Sequence, residues 1–209
     1  PYRRRSSWLR ALGNRAYLSR MREGWPSLTA GAVAFARAAA SAAPMTTSSL
    51  EDPVARRLFP WPKGAVGQTL ARAASLGLVD HIALRTAAID AAIDGVAQVV
   101  LLGAGLDARA HRLRGLGRVF EVDHPSSQRL KRKYAPPTSA VEYIAADFLK
   151  DDVDALLAKA GHDATRPTAW IIEGVAVYLP AMITTRLLEV VSARSASGTR
   201  SVTSSRRPG

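Results

Sequence analysis

Residues 99–109, Val99-Val100-Leu101-Leu102-Gly103-Ala104-Gly105-Leu106-Asp107-Ala108-Arg109, run an apolar strand straight into a glycine turn that opens a helix. Four consecutive aliphatic residues read as a strand buried on both faces. Gly103 and Gly105 let the backbone turn tightly and come close to a ligand. About 16 residues further on, Val119-Phe120-Glu121-Val122-Asp123 reads as a second strand ending in a carboxylate. That is where folds of this kind hydrogen-bond the two hydroxyls of a ribose.

Downstream of this junction the pattern alternates. Strands are expected at 98–102, 118–122, 141–145 and 168–173, with helices near 107–114, 126–133, 151–160 and 180–193. Such alternation specifies a parallel, doubly wound α/β sheet, and right-handed crossovers bring the carboxyl ends of its strands to one edge. Gly103, Gly105, Asp123, Asp147 and Glu173 all fall at that edge. Upstream, 28–43 reads as a small-residue helix, 44–49 as a polar turn and 59–64 as a loop. Asp52 and Pro53 mark a helix start. Residues 66–94 are again helical, with Ile82, Ile89 and Ile93 on one stripe and Asp94-Gly95 as the stop. These upstream helices are expected to lie over the sheet as a cap.

The chain has 209 residues, 47% of them hydrophobic, enough for one domain with a real core. Mean hydropathy is close to zero. There is no cysteine, which excludes disulfides and thiolate metal sites and points to a reducing, cytoplasmic compartment. His81, His111, His124 and His162 lack ligand-like spacing, so no metal is expected. The net charge of +12 is uneven: +6 falls in residues 1–25, +4 in 194–209, and only +2 between them. A near-neutral body with basic tails argues against a nucleic-acid partner. The alanine-rich stretch near 33–43 is broken by Arg37 and ended by Pro44, too short for a membrane span. The arginine-rich 1–25 is read as a loosely ordered arm, with a targeting or membrane-surface helix as the alternative. A first residue of Pro rather than Met hints at a fragment.

Gly103-x-Gly105-x-x-Ala108 also satisfies a relaxed nicotinamide or flavin fingerprint. Asp107 separates the two readings. A carboxylate in the first helical turn disfavours a pyrophosphate unless Arg109 neutralises it, and it welcomes a cation. S-adenosyl-L-methionine fits such a rim, since it carries a sulfonium, an ammonium, a ribose and an adenine but no phosphate. Asp147 at the third strand end can accept from the adenine amino group with Phe148 alongside. Glu173 at the fourth stands where an ammonium or a substrate would lie.

Several runs together resemble the class I S-adenosylmethionine-dependent methyltransferases, and within them the leucine carboxyl methyltransferase-like group and its actinobacterial relatives. They are Glu51-Asp52-Pro53-Val54-Ala55, Ala83-Leu84-Arg85-Thr86, the glycine stretch 100–109, Phe120-Glu121-Val122-Asp123-His124-Pro125, Ala146-Asp147-Phe148 and Pro167 through Pro180. The resemblance implies a Rossmann-like domain over 28–203, divided into a helical cap at 28–95 and a core at 96–203. Residues 1–27 would be a basic flexible arm and 204–209 a tail. It implies that Asp123 binds the ribose and that Asp147 and Phe148 flank the adenine. Gly103 and Gly105 would pass close to the methionine part. Arg85 would pair with the cofactor carboxylate, with Glu173 beside its amino-acid moiety. Arg109 is read as a structural partner of Asp107.

One departure from the family stands out. After the fourth helix only 198–203 and a short polar tail remain, so the last strands of the sheet are expected to be missing and an edge left open. Methyl transfer from a sulfonium is an in-line displacement governed by positioning. A carboxylate acceptor needs no base, and no side chain is assigned a catalytic role. Tyr178 and His124 are read as packing or capping residues. The favoured function is O-methylation of a small-molecule carboxylate or hydroxyl. The alternatives are a non-catalytic cofactor-binding remnant and an NAD- or FAD-dependent oxidoreductase.

Overall fold

In the computed structural model, which describes residues 34–38, 52–59, 69 and 78–204, the stretch quoted above is the central strand and the turn that leaves it. β1 (Gln98–Leu102) is buried at all five positions. It pairs in parallel with β2 (Arg118–Asp123) on one side and β4 (Thr168–Glu173) on the other. β3 (Val141–Ala145) lies outside β2 and β5 (Arg200–Ser204) outside β4. The order is β3-β2-β1-β4-β5, with every pairing parallel.

Alternation of side chains along β1 sends residues to two separate cores. Val100 and Leu102 pack with Phe120, Val122, Trp170 and Ile172 against Leu157 of α5 (Val153–Lys159) and Leu187 and Val191 of α6 (Ala181–Ala193). Val99 and Leu101 pack with Val119, Ala169 and Ile171 against Ile89 and Ile93 of α2 (Leu78–Ile93) and Ala110 of α3 (Arg109–Arg112). A sheet covered on both faces explains why β1 is continuously apolar rather than alternating. Between β1 and β4 the strand order reverses, and such switch points open a crevice at the carboxyl ends of the strands.

The expected stripe Ile82, Ile89 and Ile93 is buried, and Gly95, at φ 70°, ends α2. This helix is one of the two layers against the sheet rather than a lid above its edge. The pieces that do sit at the carboxyl edge are the helical segment 34–38 and α1 (Pro53–Leu58). Ala34, Ala38, Val54 and Ala55 pack there on Leu106 and Ala108 of the glycine loop, with Leu130 and Tyr134 of α4 (Pro125–Tyr134) alongside. The helix start at Pro53 is capped by Asp52, whose Oδ1 accepts from Ala55 N at 2.8 Å. Residues 1–33, 39–51, 60–68, 70–77 and 205–209, the last of these nearly all of the expected tail, lie outside the described residues. With them go the basic arm, the polar turn and most of the loop that the sequence predicts.

Two expectations change. The helix expected over 107–114 is only Arg109–Arg112, because residues 103–108 stay in a turn closed by Asp107 N to Ala104 O at 2.8 Å. The sheet does not stop at β4 as the sequence predicted: β5 pairs along it from Ala169↔Arg200 to Glu173↔Ser204. Arg200 of β5 also donates to the carbonyls of Ala92 and Asp94 at 3.0 and 3.2 Å. It thereby satisfies the exposed end of α2, where a cation is favourable.

Candidate functional site

The glycine loop is tied to the neighbouring strand. Gly103 N donates to Val122 O at 2.8 Å, and Gly103 and Gly105 have φ of 75° and 51°. A Cβ on Gly103 would stand 2.7 Å from Cβ of Val175, so the position needs glycine for both conformation and space. Asp123, the last residue of β2, turns back under this loop. Its Oδ2 accepts from Gly105 N and its Oδ1 from His124 N at 2.6 Å. Burial pushes its pKa up, and the two amides and the Lys131 ammonium oppose that push. Each carboxylate oxygen keeps a second lone pair, so the pair of acceptors a ribose diol requires is still available.

Asp147 lies two residues beyond β3, and Ala146 N to Asp123 O at 2.8 Å ties the two strand ends together. Its Oδ1 accepts from Leu149 N at 3.0 Å, and Lys150 pairs with its other oxygen at 3.0 Å. Burial raises its pKa, but Lys150 and the Leu149 amide outweigh that and lower it overall. Phe148, next in the chain, is 5% exposed and packs in the core with Val122, Ile144 and Val153. His124 caps α4, accepting from Ser126 N at 3.3 Å. Tyr178 is half-buried in a short 3-10 turn, Ala176–Tyr178.

Glu173, at the end of β4, sits among arginines from three other places. Arg85 of α2 reaches its Oε1 at 2.5 Å, Arg37 the same oxygen at 3.5 Å, and Arg109 its Oε2 at 3.1 Å. Arg109 is 1% exposed and also holds Asp107 and Asp90, the latter at 2.9 Å; Arg112 shares Asp90 at 2.6 Å. Four arginines thus face three carboxylates. Among the described residues, Arg85 Nε and Arg109 Nη2 are buried without a hydrogen-bond partner, so the cluster carries two unmet donors.

This cluster revises the reading of Asp107. The sequence reads it as a carboxylate that disfavours a phosphate unless Arg109 neutralises it. In the structure its Oδ1 accepts from Arg109 N at 2.8 Å, and its Oδ2 pairs with Arg109 and, at 3.6 Å, with Arg37. Burial would raise its pKa, yet the two arginines hold it well below the usual carboxylate range. It is therefore an internal partner of arginines, and it no longer discriminates between a cationic ligand and a phosphate. Its pairing with Arg109 is as the sequence suggested.

Sequence reasoning missed Arg37, Asp90 and Arg112, and also the buried pair Glu121 and Lys131. Signals were present: Arg37 interrupts an alanine-rich run, and Glu121 stands between Phe120 and Val122 in a strand otherwise apolar at its centre. A charge inside such a run needs a partner from elsewhere. Among the described residues there is no cluster of three or more His, Cys, Asp or Glu able to hold a metal, and no helix long and apolar enough to cross a membrane.

A parallel 3-2-1-4-5 sheet, with a glycine turn after its first strand and a carboxylate after its second, defines the nucleotide-binding class of doubly wound proteins. The profile of the leucine carboxyl methyltransferase family matches residues 30–192, and the chain belongs to that family. A protein of Mycolicibacterium smegmatis is 43% identical over 138 residues, covering 60% of this chain and 46% of its own length. One of Mycobacterium bovis is 42% identical over 146 residues, covering 64% and 47%. Both carry the provisional name S-adenosyl-L-methionine-dependent methyltransferase. The chain therefore spans about half the length of the curated relatives it matches. Human N-acetylserotonin methyltransferase, solved with S-adenosylmethionine, is 16% identical with a TM-score of 0.42, over 73% of this chain and 40% of that one, too loose a likeness to bear on function.

Proposed function

We propose that this chain binds S-adenosyl-L-methionine at the carboxyl edge of its sheet and serves methyl transfer to an oxygen of a small molecule, a carboxylate or a hydroxyl. The observation that carries the reading is Asp123. Its carboxylate is clamped by Gly105 N and His124 N under the glycine turn, with lone pairs left for a ribose diol. Asp147 at the adjoining strand end would accept from the adenine amino group, with Phe148, next in the chain, flanking the base. Gly103 and Gly105 would let the methionine chain pass along the backbone. The fit of the amino-acid end is tested by the arginine cluster, whose two unpartnered N–H groups suit a carboxylate. Arg85 would receive that carboxylate and Glu173 the ammonium, each giving up part of the other.

When bound, the cofactor supplies an electrophilic methyl group for in-line displacement. The protein's own contribution is to hold two reactants in line and keep water away, and effective molarity of this kind can account for several kcal/mol of the barrier, roughly 7–11 in favourable cases. A carboxylate acceptor needs no base, which agrees with a site where no side chain is assigned proton transfer. The proposed domain would run over 28–203, with α2 packed in its core and segment 34–38 and α1 on the cap side of the glycine loop. The absence of cysteine supports a cytoplasmic setting.

Calorimetric titration of the chain with S-adenosylmethionine, and separately with NAD, tests the proposal. The expected result is binding of the first and not the second, with Asp123→Ala weakening it at least ~100-fold, since two charged hydrogen bonds at about 1.5 kcal/mol or more each are removed. Folded protein that binds neither, or an Asp123→Ala variant that binds as well as the parent, would overturn it. Cofactor binding without label transfer to any small-molecule fraction of an extract would reduce the function to cofactor binding.

A further inference from the structure

Glu121 and Lys131 form an ion pair at 2.5 Å with both side chains 1% exposed. One Glu121 oxygen, Oε1, has no hydrogen-bond partner among the described residues. Such a pair is weak evidence for stability: a well-packed apolar pair of similar volume often does as well or better, because both charges had to leave water. Its position in the fold, by contrast, is informative. Glu121 lies two residues before Asp123 on β2, so the two side chains emerge on the same face of the strand, roughly 6–7 Å apart along it. α4 starts immediately after Asp123 and brings Lys131 back over that face. Gln128 of the same helix anchors it, donating to the carbonyls of Glu121 at 2.8 Å and Ile144 at 2.7 Å.

We infer that Lys131 is the buried counter-charge of Asp123, tethered by Glu121, and so acts as a positioning residue that keeps the ribose-binding carboxylate ionised. Asp123 needs one. Its direct partners are two backbone amides, which carry no net charge. The charged and titratable groups around it are Lys131 of α4, His124 beside it and Glu121 on its own strand, with Asp147 at the adjoining strand end paired to Lys150; Asp107, which acts on Glu121, is itself consumed by Arg109 and Arg37. At Asp123 the Lys131 charge opposes the burial that raises the pKa, and at Asp107 it adds to the lowering by Arg109 and Arg37. Its ammonium therefore serves three carboxylates, only one of which it touches.

The inference rests on the ribose role proposed for Asp123, and its test separates the two. Lys131→Met and Glu121→Gln are made in the full chain. S-adenosylmethionine affinity is followed across the pH range in which circular dichroism shows each variant folded, and the Asp123 carboxyl is titrated by carbon NMR without ligand. Removing the ammonium should raise the Asp123 midpoint by about one unit, a tenfold loss of affinity on the acid side. Neutralising Glu121 while keeping its oxygen as a tether should move the midpoint down and extend binding to lower pH. A purely structural pair predicts that both variants weaken binding with no opposed shift. Shifts of one sign, or none, overturn the inference. If Lys131→Met does not fold, the downward shift in Glu121→Gln decides alone. Opposed NMR shifts with no cofactor affinity in the parent would sink the proposed function and leave Lys131 standing as the counter-charge.

Discussion

Arg109→Met tests how the arginine cluster holds the carboxyl edge together. Arg109 joins α2 through Asp90, the glycine loop through Asp107 and β4 through Glu173, and it is 1% exposed. Methionine keeps most of the stem volume, so the change is chiefly one of charge. Each carboxylate retains another arginine: Asp90 has Arg112 at 2.6 Å, Glu173 has Arg85 at 2.5 Å, and Asp107 has Arg37 at 3.6 Å. Asp107 is left with the longest contact and bears most of the loss. Breaking a buried pair costs about 3–5 kcal/mol, and because no carboxylate is wholly abandoned the low end, about 3 kcal/mol, applies. For a chain of this size that is a fall in Tm of roughly 6–12 °C, out of a total stability of about 5–15 kcal/mol. Asp107→Asn should cost less, because the amide oxygen can still accept from Arg109 N. Thermal unfolding followed by circular dichroism, with urea titration as a check, measures both. A variant Arg109→Met melting within about 2 °C of the parent would refute the reasoning.

Three further outcomes are expected. Gly103→Ala combines a positive φ with a Cβ 2.7 Å from two atoms of Val175, and should cost about 2–4 kcal/mol in urea unfolding; Val175→Ala removes only one of the two close atoms and should restore part of that. His162 is buried and its Nδ1 receives an N–H from Arg194 at 3.3 Å, so the ring is neutral and its Nε2 donates to Thr168 Oγ1 at 3.0 Å. Burial and the Arg194 charge push its pKa down to about 4. The unfolded chain binds this proton near pH 6.5 and the folded chain does not, so the stability is present above 6.5 and lost as pH falls toward 4. The loss amounts to about 2–3 kcal/mol, and His162→Gln should flatten the profile in that window of pH-dependent unfolding. Asp52→Ala removes the cap on Ala55 N, and should lower stability by about 0.5–2 kcal/mol in the same assay.

Much of the sheet is legible in the chain because its information is local. The runs at 98–102, 141–145 and 168–173 are apolar or β-prone and bounded by turn residues, and they are strands with those limits. Alternation with helices dictates parallel pairing, and parallel pairing puts Gly103, Asp123, Asp147 and Glu173 at one edge before any coordinate is known. The stripe of Ile82, Ile89 and Ile93 follows from helical period alone.

What depends on tertiary structure is charge and burial. Arg37 meets Glu173 across 136 positions of chain, and no periodicity encodes that meeting. The pairing of Asp107 with Arg109 is legible two residues away, but its second arginine, Arg37, arrives from a distant helix and leaves no local trace. Phe148 reads in sequence only as an aromatic beside a strand end; that it is 5% exposed and packs with Val122, Ile144 and Val153 is decided by the tertiary fold. β5 pairs through backbone groups, so its polar sequence Arg200-Ser201-Val202-Thr203 gives little hint of it. Local pattern specifies elements and their ends; Coulomb energy and desolvation depend on distances in space, and those exist only after the chain has packed.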